Sequence, residues 1–155
     1  MSFELSAKAQ EHAPALTAVK TGVYEGVIIS ADFPFPFLPT LHAAARFTPN
    51  TEQVKAAEAI LENQLASLNS HREGQGKHGG PVIDEQLPQF ARQYFGYVNA
   101  EGETIIYISA VHKAASNNWR RGAVVVLDGG SSFWQVQVNL SRSLLFGLRI
   151  NGLAS

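Results

Sequence analysis

Cysteine is absent from this 155-residue chain, which excludes disulfides, thiolate nucleophiles and zinc–thiolate sites while leaving the compartment open. Neither sign of charge dominates: 12 Lys and Arg stand against 13 Asp and Glu, a formal net charge of −1. The basic residues are scattered rather than striped, so nucleic acid is not expected as a partner. No apolar run approaches the ~20 residues that cross a bilayer, and no membrane span is expected. The first twelve residues carry Glu4, Lys8 and Glu11 and no continuous apolar segment. They do not read as a secretory signal, and the expected location is cytoplasmic.

Catalytic signatures are missing as well. His112, Ser109, Ser116 and Asp128 are the residue types of a nucleophilic triad, but no Gly-x-Ser-x-Gly elbow accompanies them. Ser131 and Ser132 follow two glycines, as turn serines do. His71, Glu73 and His78 are the one cluster of metal-binding types, set in a glycine-dense loop that supplies little of the rigidity a metal site needs. Gly74–Gly80 resembles a phosphate-cradling loop only in composition, because no strand precedes it and no Ser or Thr follows Lys77. No metal or cofactor is therefore expected, and enzymatic activity is not favoured.

What is present is enough apolar material for one core: 45% hydrophobic and 10% aromatic residues. Residues 1–21 are Ala-rich with Pro14 among them, and read as an arm, either a short helix or a loosely held segment, outside a single domain over 22–155. Val23–Ile29 is enriched in β-branched and aromatic residues and predicts a strand. In Asp32–Pro39, alternate Phe33, Phe35 and Phe37 project to one side while Pro34 and Pro36 remove N–H donors, so the segment is an edge strand or polyproline-like. Its phenylalanines read as a cap on one end of the core in preference to a partner-binding ridge.

The spacing predicts a helix over about 49–70. Thr48 suits an N-cap, Pro49 a first helical position and Glu52 the first turn. Val54, Ala57, Leu61, Leu65 and Leu68 form an apolar stripe, with Glu52, Lys55, Glu58 and Glu62 off it. Beyond the loop His71–Pro81, five strands are expected: about Phe90–Asn99, Glu103–Lys113, Ala123–Leu127, Phe133–Leu140 and Leu144–Asn151. Short turns at Asn99–Gly102, Asp128–Gly130 and Ser141–Arg142 make neighbours antiparallel. Trp134, Val136, Val138 and Leu140 share one face, and Leu144, Phe146, Leu148 and Ile150 the inside of the last strand. Arg92, Tyr94, Gln135, Gln137 and Arg149 are assigned to a polar face. The helix is the natural cover for the apolar one.

These elements make an α+β domain, one long amphipathic helix on a curved antiparallel meander of four to six strands, and the arrangement looks cystatin-like. Phe47–Thr51, Arg92–Asn99, Asp128–Gly130 and Phe133–Leu140, with Phe146 and Ile150–Gly152, resemble an uncharacterised family of small bacterial proteins common in Bacteroidetes. The resemblance covers roughly residues 47–154. It implies that fold, relatives that carry secretion or lipoprotein signals, and no activity. Cystatins inhibit papain-like proteases through a QxVxG loop, and Gln135–Asn139 lacks its final glycine.

Candidate binding residues are Trp119, Arg120 and Arg121 in the polar stretch after the second meander strand, His112 before it, and Phe35 and Phe37. Tryptophan and arginine are favoured at binding sites, although Trp119 also suits a lid over the sheet edge with the arginines keeping it soluble. The expected function is non-catalytic binding of an unknown protein or small molecule, by a monomer or a homodimer. The alternative is a small-molecule-binding or enzymatic cone with a pocket between helix and sheet, lined by groups such as Tyr97 and Tyr107.

Overall fold

The computed structural model describes residues 15–35, 41–69, 75, 81–122 and 130–151. Seven strands form one mostly antiparallel sheet: β1 (Leu16–Thr21), β2 (Tyr24–Ile29), β3 (Ala43–Phe47), β4 (Phe90–Asn99), β5 (Thr104–His112), β6 (Phe133–Asn139) and β7 (Leu144–Ile150). The strand order is β1-β2-β4-β5-β6-β7. β4 is the longest strand, and one of its edges serves two partners end to end. Ala91–Tyr94 pair in parallel with β2, and Gly96–Asn99 pair antiparallel with β3. Among the described residues one α-helix, α1 (Thr51–Leu68), packs against the sheet. The architecture is α+β, with seven strands where four to six were expected. The additions are β3 and β1, the latter drawn from the segment read as an arm. The expected strand Ala123–Leu127 and most of the His71–Pro81 loop lie outside the described residues.

The helix begins two residues later than its sequence suggested. Asn50, not Thr48, is the N-cap: its Oδ1 accepts from the Gln53 backbone at 2.8 Å, and the Gln53 side chain accepts from the Asn50 N–H at 2.9 Å. This reciprocal capping box satisfies two of the helix's orphan donors, which Thr48 with Pro49 could not do. Thr48 instead accepts from Ala31 N–H at 2.9 Å.

Val54, Ala57, Leu61 and Leu65 are buried against Tyr94, Ile106, Ile108, Val136 and Val138. Glu58 lies on that same face and is 2% exposed, although its charge had placed it among solvent-side residues. It is buried because it has a partner. Arg92 of β4, fully buried, donates from Nε and Nη2 to the two Glu58 oxygens at 2.9 and 3.2 Å. Its Nη1 donates to the carbonyls of Leu87 and Phe90 at 2.6 and 2.7 Å. The Tyr94 hydroxyl also donates to Glu58. Arg92 and Tyr94 thus face the helix, away from Gln135, Gln137 and Arg149, with which they had been grouped. Beside Arg92, β2 approaches so closely that a Cβ on Gly26 would stand 2.1 Å from the Arg92 carbonyl oxygen; only glycine fits there.

β7 corrects a second expectation. Leu145, not Leu144, faces the helix, while Phe146 packs on the opposite face and Leu148 and Ile150 return to the helix side. The shift comes from a bulge: Gln135 pairs with Arg149 but Gln137 with Phe146, and Gly147 between them takes φ +67°. Two residues then face one, and strict alternation breaks at the glycine.

The sheet face away from α1 is covered too. Val27, Ile29, Phe95, Tyr97, Ile105, Tyr107 and Val111 form an apolar floor under Phe35 and Trp119. Phe35 stacks on Phe95 at 4.4 Å between centroids and meets Tyr107 edge-on at 5.1 Å. Arg46 of β3 fastens this cover by donating to the carbonyls of Phe33 and Ser30.

Two outcomes follow from this packing. Glu58→Ala leaves Arg92 buried and unpaired, and denaturant unfolding is expected to show a loss of about 3–5 kcal/mol; Glu58→Leu with Arg92→Met should recover much of it, because that swap removes both charges. The second concerns all four tyrosines. Burial raises the hydroxyl pKa of Tyr24 and Tyr97 to about 12, with the Glu62 hydrogen bond contributing at Tyr24, and raises Tyr94 and Tyr107 well above the usual value. Each folded state holds its proton more tightly than the unfolded chain, so this stability is complete below pH ~10 and is lost as pH climbs toward 12. Tyrosinate absorbance should rise late and together with unfolding; a tyrosine ionising near pH ~10 in the folded protein would contradict the packing.

Candidate functional site

One edge of the sheet is the β1–β2 hairpin, turned at Gly22, whose φ is +60°. Its register pairs Leu16 with Ile29, Ala18 with Val27 and Lys20 with Glu25, and alternation puts all six side chains on the face away from α1. Facing them is the turn that follows β5, where Asn118–Arg120 form one 3₁₀ turn. Between hairpin and turn lies a cleft of about 430 Å³, lined by Leu16, Ala18, Lys20, Glu25, Val27, Trp119 and Arg120 with the backbone around Val19 and Gly26. Trp119 is only 3% exposed and belongs to the apolar layer. The Arg120 guanidinium stands 4.5 Å from the centre of its ring.

Gln93 fixes the turn to the middle of the sheet. Its side-chain amide, fully buried on β4, donates to the Trp119 carbonyl at 2.9 Å and to the Gly122 carbonyl at 2.5 Å. Ser116 accepts from Asn118 N–H at 3.1 Å, and Arg121 N–H donates to the Asn118 carbonyl at 3.0 Å. A buried amide held to two loop carbonyls is a rigid mount for a wall of the cleft.

The electrostatics are lopsided. Lys113 Nζ lies 2.8 Å from Glu25, each side chain about one-third exposed. That hydrogen bond is the main reason the Glu25 carboxyl sits below its usual pKa, and the charges of Lys113, Arg120 and Lys20 push the same way. Three cations therefore surround a single carboxylate.

Of the residues expected to bind, Trp119 and Arg120 are brought together in the cleft. Arg121 is exposed beside it without lining it. His112 is on the helix side of the sheet, edge-on to Phe90 at 5.2 Å, with Nδ1 accepting from Ala114 N–H at 3.2 Å. Ser109 is on the opposite face, directly across from Gln93 on β4 and Gln135 on β6, so it does not meet His112. Asp128 is outside the described residues. Phe35 is 6% exposed and part of the core layer, and Phe37 is outside the described residues. Tyr97 and Tyr107 also lie in that layer, away from the helix. The metal-type residues His71, Glu73 and His78 fall outside the described residues; among the described ones no three His, Asp or Glu gather to hold a metal.

Leu16, Ala18, Lys20, Glu25 and Gln93 were not foreseen as site residues. Alternation in Leu16–Thr21, a glycine at 22 and a β-rich run from Val23 are the signature of a hairpin, and that signal was available. No helix among the described residues is long and apolar enough to cross a membrane. Compared with protein-family models, curated proteins and solved structures, the chain finds no match.

Gln93→Leu keeps volume but strips both carbonyls of their donor. In a Trp134→Phe background, which leaves Trp119 as the sole indole, emission is expected to shift to the red and quench more readily, with a stability loss of about 1–3 kcal/mol. Unchanged emission would mean that Gln93 does not hold the turn.

Proposed function

We propose that the protein is a non-catalytic binding domain that takes a small ligand in the cleft between the β1–β2 hairpin and the Trp119 turn. The observation that carries this reading is the cleft itself: about 430 Å³, inside the ~300–1,000 Å³ range of ligand sites, with an apolar floor and a few polar groups at its mouth. A tryptophan and an arginine, the side chains favoured where binding energy concentrates, stand on its wall.

Chemistry at the cleft supports binding over catalysis. Its titratable side chains are Lys20, Glu25 and Arg120, and none pairs with a hydroxyl nucleophile in the way acyl transfer needs. Glu25 is held ionised below the usual carboxylate range, which makes it a poor proton acceptor near neutral pH. The space between α1 and the sheet, where an alternative pocket was expected, holds the Glu58–Arg92 pair and side chains that are almost wholly buried. The resemblance of residues 47–154 to a cystatin-like bacterial family without assigned activity is consistent with this reading and adds no chemistry to it.

The reading is tested by protein-observed NMR with a small-fragment library. Binders should shift the Trp119 indole N–H and the amides of Leu16–Val27 while leaving the amides of Val54–Leu65 in place. Shifts confined to the helix–sheet interface would overturn it.

A further inference from the structure

The cleft's charges are not balanced from within. Glu25 is already matched by Lys113 at 2.8 Å, and among the described residues Glu25 is the only carboxylate lining the space. Lys20 and Arg120 are exposed, and neither forms an ion pair among the described residues. Arg120 is instead laid over Trp119, an arrangement that orients the planar guanidinium while leaving its donor edge unused. Beside these cations the apolar lining is Leu16, Ala18, Val27 and Trp119, a surface whose release of water favours an apolar body.

A cationic ligand would meet a carboxylate already occupied and two further positive charges. A wholly apolar ligand would press against Lys20 and Arg120 with nothing to replace their water, which is unfavourable for charged groups. A polyanion would bring surplus charge against Glu25. A single compact anionic head on an apolar body meets none of these penalties, and the fork of a guanidinium matches the two oxygens of a carboxylate.

Building on the binding reading above, we infer that the ligand is a small amphipathic carboxylate, its head held by Arg120 and Lys20 and its apolar body laid on Leu16, Val27 and Trp119. Because both cations are exposed, the head-group contribution is screened by salt while the body's contribution is not.

Phenylbutyrate, phenylbutanol and phenylbutylamine share one body and differ in head charge, and titrating each while following the Trp119 indole and the β1–β2 amides separates head from body. The carboxylate is expected to bind about tenfold more tightly than the alcohol, as a charge-assisted contact provides, and the amine most weakly. Arg120→Gln with Lys20→Gln, both exposed positions, should bring the carboxylate down to the affinity of the alcohol measured on the same variant. If all three bind the cleft alike, or the amine binds best, the carboxylate inference is overturned while the binding reading stands. The inference also falls if the carboxylate's advantage survives the double substitution. If none of the three moves a cleft resonance at millimolar concentration, the inference and the binding reading fall together.

Discussion

A carboxylate and a guanidinium sealed between helix and sheet set the frame for everything else. Removing Glu58 and Arg92 from water is expensive, and their attraction offsets that cost only because the remaining donors and acceptors are also used. They are: Arg92 reaches both Glu58 oxygens and two main-chain carbonyls, and Tyr94 donates to the same carboxylate. Apolar packing is tolerant of sliding, whereas this pair has one geometry. It fixes the position of α1 along β4, and the guanidinium carries the ring of Tyr24 at 4.2 Å while the Tyr24 hydroxyl donates to Glu62 of the helix at 2.6 Å. The β1–β2 hairpin is thereby tied to α1 as well as to β4.

With α1 held on one side, the other face of the sheet becomes a second packed layer. Phe35 and Trp119 cover its floor, each brought there by a polar clamp, Arg46 for the phenylalanine segment and Gln93 for the tryptophan turn. Such clamps satisfy loop carbonyls that would otherwise be buried without partners. Among the described residues that cover ends over the β1–β2 edge of the sheet, and there the cleft opens. Its location follows from layering: the described residues fill the helix side and the middle of the far side, and leave a space at that edge.

Much of the fold was legible because its periodicities are regular. The stripe of α1, the alternation of β6 and the short turns at Asn99–Gly102 and Ser141–Arg142 led to the right elements within a few residues. Failures occurred where residue type argued against position. Glu58 lies four residues from Val54 and belongs to the buried face by spacing, but its charge hid it; no local signal announces that Arg92, far along the chain, will be its partner. Gly147 moved β7 out of phase through a backbone conformation that one glycine permits and that an alternation count ignores. Asn50 with Gln53 was a readable capping box overshadowed by Thr48 and Pro49. At the site, Trp119 and Arg120 were legible as residue types that bind, whereas their neighbours on β1 were not, since recognising them required knowing that residues 16–21 pair with β2. Trp119 is buried in the apolar layer, as the lid reading expected, and its turn bounds the cleft.

A rigid scaffold carries a small, positively charged cleft at its edge, the proposed seat of a ligand. A crystal structure of the protein with phenylbutyrate tests that most directly: the phenyl ring should lie on Leu16, Val27 and Trp119, with the carboxylate at hydrogen-bond distance from Arg120 or Lys20. A ligand found between α1 and the sheet, or in the cleft with its carboxylate turned away from both cations, would contradict the account.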